Sequence, residues 1–559
     1  MLHNEGRYAM KFQTHEVMNQ APELEDYNSF LRDQALQDAL QREGASWARA
    51  DVERFGAVTG SAASIALGYQ ANAHKPQLHT HDRFGHRVDK VEFHPAYHQL
   101  MQTAIAEGLH ASPWQQSQLG AHVARAAKYY LHTQVEAAHG CPITMTFAVV
   151  PALKQQSNVA AEWLPRVLTN EYDPRDIPAN QKRGITFGMG MTEKQGGSDV
   201  RANTTIAKAI GSAGSGELYE LVGHKWFLSA PMCDAFLMLA QTNVGLSCFL
   251  VPRWRPDGTK NPLELVRLKD KMGNVANASS EVELRGAQGW LIGAEGKGVR
   301  TIIEMVAMTR FDCMIGSAAG MRQAVVQAVH HCQHRRAFGR TLVEQPLMSN
   351  VLADLALESE AALTLTMRMA RAMDHQEQTH EQLLARLAVA IGKYWICKRT
   401  PQHAYEAMEC LGGNGVMENC IMPRLYREAP INAIWEGSGN IQCLDVLRAI
   451  EKQPETLEAY FAEVARAEGA NSGLDTSIKQ LKNWFSQRYE VEERQGQARR
   501  IVDQLAVTLQ GALLQQHAPN AIADAFCVSR LGTDWGLNYG TLPIGINRQA
   551  IIDRCFSTG

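Results

Sequence analysis

The 559-residue chain lacks several features that would assign a sequence directly to a structural class. Its eleven cysteines include no C-x-x-C pair, and those closest in sequence are Cys397, Cys410 and Cys420. Cysteine this sparse excludes a disulfide scaffold and predicts buried, reduced thiols in a cytoplasmic protein. No uninterrupted run of about 18 apolar residues occurs, so we expect no membrane-spanning helix. The polar stretch 1–20 is not followed by an apolar segment, so we expect no signal peptide.

Signatures of common nucleotide-binding and metal-binding folds are also absent from the sequence. No G-x-G-x-x-G opens a predicted helix and no G-x-x-x-x-G-K-[ST] occurs, which excludes a Rossmann fingerprint and a P-loop. Among the 20 histidines, His330, His331 and His334 lie close together without cysteine or carboxylate partners at zinc-ligand spacing. We therefore expect no bound metal.

The chain has no large excess of either charge. Its 55 lysines and arginines stand against 58 aspartates and glutamates, which gives a net charge of −3. A chain with this balance does not bind nucleic acid through its overall charge, so any basic patch must be local. With 45% hydrophobic and 20% charged residues, the composition excludes a disordered chain, a collagen and a coiled-coil rod.

Length and periodicity together predict three or four domains. Residues up to about 180 have helical periodicity, for example in Tyr27–Glu43, Pro95–Glu107 and Ser117–Ala138, and the polar stretch Asn170–Lys182 marks a boundary. The next hundred residues consist of short, often alternating apolar runs separated by turns rich in Gly, Pro, Asp and Asn. This pattern is typical of an antiparallel β-barrel or sandwich.

Helical periodicity returns after Gly296 in three long segments, which predict an antiparallel bundle. Pro454 interrupts the pattern, and further helical segments such as Glu490–Leu514 precede a Gly-rich tail, Gly532–Gly545. The predicted fold class is therefore α+β. The predicted order is an N-terminal helical domain (1–180), a β domain (181–295), a helical bundle (296–452) and an extra, mainly helical C-terminal domain (453–559).

Two segments of the predicted β domain contain residues suited to a flat, phosphorylated ligand. The loop after the first strand contains Thr192, Gly197 and Ser198, whose backbone amides and hydroxyls can approach a phosphate or a ring heteroatom. The strand Gly223–Ser229 places aromatic residues where one could lie against a cofactor ring. A plain hairpin loop and a buried strand are the alternative interpretations of these two segments.

Two further segments come from the predicted bundle. Glu436 stands in an apolar and glycine-rich setting, where desolvation would raise its pKa towards that of a useful base. Ser438 or Asn440 can cap the helix that begins near Ile441, so a helix-capping acid is the alternative role for this glutamate. Arg335 ends a long helix, where it could meet a phosphate or compensate the helix dipole.

Taken together and in this order, the four segments resemble the acyl-CoA dehydrogenase flavoprotein family, and the helical–β–helical order matches as well. This resemblance covers roughly residues 90–450. Finer features, and the extra C-terminal domain, resemble the AidB-like branch of alkylation-response flavoproteins, from Phe12 to the end of the chain. The segments that support the branch are MTEKQGGSDV (191–200), GHKWF (223–227), LKDKMGN (268–274), MTRFD (308–312), PRLYRE (423–428) and IWEGSGNI (434–441).

The resemblance implies an FAD-dependent oxidoreductase that acts on a CH–CH donor, with Glu436 as the catalytic base that removes the α-proton. It also implies a homotetramer, because Arg335 and Phe338 match residues that reach the FAD of a neighbouring subunit. The residues that match FAD contacts are Met189, Gly190, Met191, Thr192, Gly197, Ser198, Phe227, Leu228, Ser229, Arg335, Phe338, Gly413, Ile434, Trp435, Gly437, Ser438, Gly439 and Asn440.

Four positions depart from the family pattern. Phe227 and Ser229 stand where relatives usually have tryptophan and threonine, and Glu409 stands where many have glutamine. Ala307 stands where many relatives have an acid, three residues before the arginine at position 310, that helps to hold the acyl-CoA. The flavin half of the site therefore matches better than the acyl-CoA half, and we expect weak acyl-CoA dehydrogenase activity rather than a β-oxidation enzyme.

The AidB-like branch binds double-stranded DNA, and the extra C-terminal domain is implicated. Composition gives this no support, because residues 446–559 contain 12 basic and 13 acidic residues. Local clustering remains, since Arg494, Arg499 and Arg500 lie on one predicted helix. The cluster is far in sequence from the flavin motifs, so we expect its removal to leave the flavin spectrum unchanged. The next candidates for a DNA contact are Arg386, Lys393, Lys398 and Arg399.

Three functions are compatible with these features. The first is an alkylation-response flavoprotein that binds DNA and either shields it or destroys alkylating agents. The second is a metabolic acyl-CoA dehydrogenase whose extra domain is only structural. The third is a flavin-stabilised scaffold without chemistry. No helix-turn-helix or zinc-finger signature is present, so any DNA binding should depend on backbone phosphates and on salt.

Overall fold

The computed structural model describes residues 12, 14–532 and 536–556. The N-terminal stretch considered for a signal peptide lies largely outside these residues, as does part of the Gly-rich tail. Along the described chain, a mainly helical segment, a β domain and further helices follow one another, which confirms the predicted α+β class. Within the same residues, no helix is both long and apolar enough to cross a membrane.

The N-terminal segment differs from its predicted helical pattern in two places. Within the described residues, the first helix begins at Gln34, because the Asp33 side chain caps it by accepting a hydrogen bond from Leu36 N at 2.9 Å. A two-stranded hairpin, β1–β2, interrupts the helices. The elements are α1 (Gln34–Arg42), α2 (Arg49–Thr59), α3 (Ala62–Ala73), β1 (Gln77–His81), β2 (Arg87–Glu92), α4 (Pro95–Ala106), α5 (Ser112–Gln115), α6 (Ala121–Val135), α7 (Gly140–Lys154) and α8 (Ser157–Val167).

The β domain closes on itself. Strands β4, β5, β9, β7 and β6 pair in a ring, in which a single bridge between Ile206 and Gln241 joins β4 to β6. Strands β3 and β8 are added to β6 and β9. The two pairings β3–β6 and β4–β6 are parallel, which departs from an all-antiparallel barrel. The strands are β3 (Phe187–Gly190), β4 (Ile206–Ala209), β5 (Leu218–Leu228), β6 (Ala235–Gln241), β7 (Leu246–Pro252), β8 (Leu263–Leu268) and β9 (Ser280–Ile292).

Three long helices form the centre of the bundle and pack against one another. A short hairpin, β10–β11, follows the first of them. The elements are α9 (Gly298–His334), β10 (Arg336–Ala337), β11 (Arg340–Thr341), α10 (Pro346–Asp374), α11 (Thr379–Glu409), α12 (Met422–Glu428) and α13 (Gly439–Lys452). The loop between α12 and α13 contains Glu436, so the bundle positions the predicted base.

The C-terminal helices do not form a separate core. Val502, Leu505 and Leu509 belong to the same buried cluster as Leu131 and Val446 of the preceding domains. The extension is therefore packed on the bundle as one folded body. Its helices are α14 (Glu455–Ala465), α15 (Ser472–Ser486), α16 (Val491–Gly496), α17 (Ala498–His517), α18 (Asn520–Arg530) and α19 (Arg548–Cys555).

Candidate active site

The loop with the predicted base has a left-handed backbone at two consecutive residues. Glu436 has φ +56° and Gly437 has φ +94°. This conformation is costly for a residue with a Cβ atom and requires support from its surroundings. Gln442 gives part of that support, because its Nε2 donates hydrogen bonds to the carbonyl oxygens of both residues at 3.0 Å.

Lys393 of α11 supplies further support from the bundle side. Its Nζ donates to Trp435 O at 2.7 Å and to Gly437 O at 2.6 Å, and the residue is only 1% exposed. The two carbonyls flank Glu436 on either side. A buried ammonium thus holds the loop at both ends of the predicted base and brings a positive charge close to it.

Arg310 reaches the same loop from α9. Its Nε donates to Glu436 O at 3.1 Å, and its Nη1 pairs with Asp445 Oδ2 at 2.7 Å. Arg386 pairs with the other Asp445 oxygen at 3.0 Å. Position 307 has no acid to help hold an acyl-CoA, and Arg310 pairs with a carboxylate from α13. This pairing ties Arg310 to the loop rather than leaving it open to a ligand.

The Glu436 carboxyl group is held by Thr309. Thr309 Oγ1 donates to Glu436 Oε2 at 2.5 Å. Burial raises the pKa of Glu436 above its ordinary value, while the Thr309 hydrogen bond and the charges of Lys393 and Arg310 act in the opposite direction. A carboxylate with a raised pKa is suited to accept a proton near neutral pH.

The Glu436 side chain borders a narrow cavity of about 50 Å³. Polar groups line the wall formed by α6, α7 and α9. Tyr129 OH shares a hydrogen bond with Thr144 at 2.8 Å, and Thr144 Oγ1 donates to Asp312 Oδ2 at 2.7 Å. Asp312 in turn forms a buried, two-pronged ion pair with Arg125 at 2.7 Å. This network fixes the wall and leaves room only for a small group.

Cys141 also lines the Glu436 cavity. Burial raises the pKa of this thiol to about 12, so it is neutral and a poor nucleophile at physiological pH. In the described part of the chain, no group of three or more His, Cys, Asp or Glu residues is placed to hold a metal ion.

The two predicted flavin segments of the β domain lie side by side. Met189 N donates to Ser229 Oγ at 2.8 Å, Ser229 N donates to Met189 O at 3.1 Å, and Trp226 N donates to Thr192 O at 2.8 Å. Phe227, which is 43% exposed, presents its ring at the same edge. The structure thus brings the Thr192 loop and the Phe227–Ser229 segment together as one surface.

Not every residue of that surface can contribute its side chain. Leu228 and Met189 are buried in the β-domain cores, and a Cβ atom at Gly190 would come within 3.1 Å of the Leu228 side chain. Their contact with a ligand is limited to backbone atoms. Gly197 packs against Thr192, with an added Cβ only 3.0 Å from Thr192 Oγ1, so a glycine there keeps the loop compact.

The other predicted cofactor residues of the bundle are partly or fully exposed. Ile434 is 66% exposed beside Trp435, and α13 begins at Gly439, with Ser438 at its N-cap. The sequence predicted a helix beginning near Ile441. The helix is present and begins two residues earlier, at Gly439. Asn440 is exposed in the first turn, where helix amides favour a phosphate. Gly413 is exposed as well, with no atom within 4 Å of an added Cβ.

Arg335 and Phe338 project from the end of α9. Phe338 is 98% exposed, with φ +51°, at the tip of the β10–β11 hairpin. Arg335 Nη1 donates to Asn19 O at 2.5 Å, and the Asn19 side chain donates to Arg336 O at 2.9 Å. The N-terminal segment thus fixes the base of a hairpin whose aromatic tip contacts solvent.

The predicted DNA-contacting arginines need two corrections. Arg494 does not share a helix with Arg499 and Arg500, because α16 ends at Gly496 and α17 begins at Ala498. Arg499 is also not remote from the flavin segments, since its Nε donates to Asn440 Oδ1 at 2.9 Å. Distance in sequence was a poor guide because α17 packs against α13.

Three of the four secondary DNA candidates have structural roles instead. Lys393 is buried against the Glu436 loop, Arg386 pairs with Asp445, and Arg399 pairs with Glu358 at 3.2 Å. Ion pairs and burial leave these side chains unsuited to a phosphate backbone. Lys398 is exposed and remains a candidate.

Three family models match consecutive parts of this chain. They are the adaptive response protein AidB N-terminal domain over residues 19–174, the acyl-CoA dehydrogenase middle domain over 188–287 and the acyl-CoA dehydrogenase C-terminal domain over 296–451. AidB of Escherichia coli (strain K12) is 46% identical over 530 residues, which are 94% of this chain and 96% of that protein. The chain is an AidB-like member of the acyl-CoA dehydrogenase family.

More distant relatives agree with this assignment. Acyl-CoA dehydrogenase family member 11 of Caenorhabditis elegans is 29% identical over 524 residues, 88% of this chain and 84% of that protein. The crystal structure of Caenorhabditis elegans ACDH-11 in complex with C11-CoA superposes with a TM-score of 0.83 at 25% identity, covering 98% of this chain and 94% of that one. This AidB-like chain is therefore an FAD-dependent oxidoreductase of the acyl-CoA dehydrogenase type.

The residues of the AidB-like chain fit FAD. The surface formed by Thr192, Phe227 and Ser229 combines hydroxyl groups with an exposed aromatic face, as an isoalloxazine ring requires. The N-terminus of α13 provides amides for a diphosphate. The exposed Phe338 tip fits a contact with another subunit. The predicted cofactor is thereby supported by the donor groups as well as by the family.

The sequence motif singles out Glu436, but it does not identify the residues that hold the Glu436 loop. Lys393, Arg310 and Gln442 act on the backbone of the loop, and no local motif identifies such a role. Thr309 could have been proposed from the sequence, because it precedes Arg310 in the segment MTRFD (308–312). Lys271 and Glu428, which lie beside the cavity, were quoted only as parts of motifs.

Proposed function

We propose that the protein dehydrogenates short, branched acyl-CoA substrates weakly, with Glu436 as the base. One observation carries the proposal: the Glu436 carboxyl, held by Thr309, borders a small cavity and has a raised pKa. The polar wall of Tyr129, Thr144 and Asp312 restricts the cavity, which favours short acyl groups. Ala307, in place of an acid, supports weak activity.

The chain's own residues explain how the proton would be removed. Glu436 takes the α-proton from the substrate, and its burial excludes water that would compete for the carboxylate. FAD, when bound, supplies the hydride acceptor for the β-hydrogen. Lys393 and Arg310 hold the loop so that the carboxylate keeps its position, and their charges stabilise it before the proton arrives.

A panel of acyl-CoA compounds, mixed anaerobically with the FAD-loaded protein, tests this activity. Short branched substrates should bleach the flavin band slowly. Glu436→Gln keeps the shape but removes the proton acceptor, so bleaching should slow by about 10²-fold or more while FAD content stays constant. Glu304→Gln, at an exposed position on α9, is the matched control and should bleach at the wild-type rate. Equal rates in Glu436→Gln and wild type would place the base elsewhere.

The physiological role belongs to the same proposal. We assign the protein to the adaptive response to DNA alkylation, in which it binds double-stranded DNA as a cytoplasmic homotetramer and protects it or destroys alkylating agents. Its 46% identity to AidB over nearly the whole length, and the match to the AidB N-terminal domain, support this role. All eleven cysteines are free, which supports a reducing compartment. The exposed Phe338 supports a subunit contact.

Two alternatives make different predictions. A metabolic dehydrogenase would bleach rapidly with an acyl-CoA and would not retain DNA. A flavin-stabilised scaffold would show neither bleaching nor a change on Glu436→Gln. Slow bleaching together with retention of duplexes of unrelated sequence would support the alkylation-response role over both.

A further inference from the structure

A second, larger cavity lies beside the Glu436 cavity. It has a volume of about 470 Å³, and Glu428 lines both cavities. Its walls come from the end of α3, the loop after β8 and helix α12. Four basic residues line it against two acidic ones: Lys75, Lys271, Arg424 and Arg427 against Asp270 and Glu428. We call this cavity the basic vestibule.

Two of the four cations are already neutralised. Lys75 Nζ pairs with Asp270 at 2.9 Å, and Arg427 forms two hydrogen bonds to Glu418 at 2.6 and 2.9 Å. Cations paired in this way contribute little additional attraction to an anionic ligand. The remaining two, Lys271 and Arg424, determine what the basic vestibule can bind.

Arg424 is half-buried, and its guanidinium has an incomplete set of hydrogen-bond partners. Its Nη2 donates to Val135 O at 2.8 Å, and its Cζ lies 5.1 Å from the centre of the Tyr69 ring. Its Nη1 is buried and has no hydrogen-bond partner among the residues that the structure describes. Burial lowers the pKa of Arg424, which reflects a positive charge that its surroundings do not balance.

Lys271 is the second uncompensated cation. Its Nζ donates to Asn277 O at 2.8 Å and forms no ion pair within the described part of the chain. Burial lowers the pKa of Lys271 to about 8. Asn277 Nδ2 in turn donates to Ser229 O at 3.0 Å, so this lysine is connected to the edge of the predicted flavin surface.

Glu428, the one acidic side chain that lines both cavities, does not neutralise Lys271 and Arg424. Glu428 accepts a hydrogen bond from Asn274 N at 2.5 Å, and burial raises its pKa to about 7. With its pKa raised to this range, part of the Glu428 population is protonated near neutral pH, so this carboxyl only partly offsets the two cations. An anion that entered the cavity would gain charge-assisted hydrogen bonds from groups that now lack them.

We propose that the basic vestibule binds a small oxyanion, a carboxylate or a phosphate, between Lys271 and Arg424. The site lies next to Glu436 and is distinct from the FAD surface. Binding of an anion there does not depend on turnover at Glu436. A substrate with an anionic group could use it to orient in the Glu436 cavity. Carboxylate and phosphate share the required chemistry, since both accept several charged hydrogen bonds at once.

Isothermal titration of the FAD-loaded protein with glutarate and with inorganic pyrophosphate tests the proposal. At least one probe should bind, and Lys271→Met and Arg424→Met should each weaken it tenfold or more. Arg427→Gln removes a cation of the same cavity that Glu418 already neutralises, so it should change the affinity less than twofold. Because Arg424 Nη1 is buried, Lys271→Met, with an unchanged circular dichroism spectrum, is the deciding variant.

The two probes separate the two sources of the anion. Tighter binding of glutarate assigns a carboxylate site, and tighter binding of pyrophosphate assigns a phosphate site. Absence of binding by either probe, or an equal loss in Arg427→Gln and Lys271→Met, would overturn the proposal.

The pH dependence provides a second measurement. Affinity should fall between pH 6 and pH 9, because Lys271 loses its proton while Glu428 becomes charged. An affinity that rises over this range would contradict the assignment. The charged and titratable groups that influence these two are Lys75, Glu136, Cys141, Asp270, Arg424 and Arg427.

Discussion

At the residue scale, the direction of the Glu436 side chain depends on a backbone conformation that few residues adopt. Gly437, the next residue, tolerates its left-handed φ, and a Cβ atom there would come within 2.6 Å of Gln442 Nε2. The strain in this loop is balanced by hydrogen bonds from three side chains that come from different helices. Such strain commonly marks a functional site, and here it sets the carboxyl against Thr309.

Thr309 should set the pH at which Glu436 becomes an effective base. The wild-type rate of anaerobic flavin reduction should rise with pH through the pKa of Glu436, which lies above the ordinary value. Thr309→Val removes a hydrogen bond that favours the charged carboxylate, so the pKa should rise further. A charge-assisted bond of ~1.5–3 kcal/mol corresponds to a shift of the midpoint to higher pH by about one unit or more.

The pH–rate profile of the reductive half-reaction measures this shift. Thr301→Val, at another buried threonine of α9, should leave the midpoint at its wild-type position. A midpoint in Thr309→Val that stays constant or moves to lower pH would show that Thr309 does not stabilise the charged form.

At the element scale, α11 should support the Glu436 loop through a single lysine. Lys393→Met leaves Trp435 O without this donor, leaves Gly437 O with only the Gln442 hydrogen bond, and removes a charge that favours the ionised glutamate. We expect a loss of ~1.5–3 kcal/mol or more in the free energy of unfolding, together with an upward shift in the pH–rate midpoint. A purely structural role would lower stability without moving the midpoint.

Denaturant unfolding and the pH–rate profile together test the role of Lys393. Lys398→Met changes an exposed lysine of the same helix and should alter neither quantity. A Lys393→Met variant with wild-type stability and wild-type midpoint would show that the loop keeps its conformation without the ammonium.

The sequence predicts best those elements that are encoded by a pattern of neighbouring residues. The helical periodicity that returns after Gly296 in three long segments corresponds to three long helices, of which α9 is the first, because such a pattern persists over many turns. The β1–β2 hairpin was missed, since its strands are short and mainly polar. The break at Gln497 was missed as well, because helical residues lie on both sides of it. A local motif predicts a role for Glu436, and that role stays a prediction. Lys393, 42 residues earlier than Trp435, contacts the loop only through the tertiary fold.

At the scale of the whole molecule, the β10–β11 hairpin should join subunits. Phe338→Asp places a charge on a tip that is 98% exposed here and should reduce the oligomer to a smaller species. Arg335→Ala should weaken FAD retention, since a charge-assisted phosphate contact contributes ~1.5–3 kcal/mol. Phe338→Asp should therefore mainly reduce assembly, and Arg335→Ala should mainly reduce FAD content.

Light scattering at micromolar concentration and the flavin absorbance of the purified protein measure these effects. Phe84→Asp is the matched control, because Phe84 is 70% exposed in the turn of the other hairpin, β1–β2. It should leave mass and FAD content unchanged. A wild-type monomer that still holds FAD would reject the proposed tetramer.

The proposed DNA binding depends on the whole oligomer, because a sizeable basic surface forms only if several subunits place their arginines side by side. The contact between Arg499 and Asn440 changes the design of its test. Arg494 and Arg500 should be replaced together by alanine, and Arg499 should be replaced in a separate variant. The double variant should bind unrelated duplexes more weakly and keep the wild-type flavin spectrum, while Arg499→Ala should perturb the flavin as well.

Salt titration of duplex binding gives the deciding measurement. Each phosphate that the protein neutralises contributes about −0.9 to the slope of log K against log salt concentration, so the double variant should have a flatter slope. Replacing Arg201 and Lys208, exposed cations of the β domain, should leave the slope unchanged. If the wild type retains no duplex at ~50 mM salt, where phosphate contacts are strong, the DNA-binding role is wrong. If instead the wild type binds and the double variant keeps its slope, the DNA contacts another surface, and Lys398 is the next residue to replace.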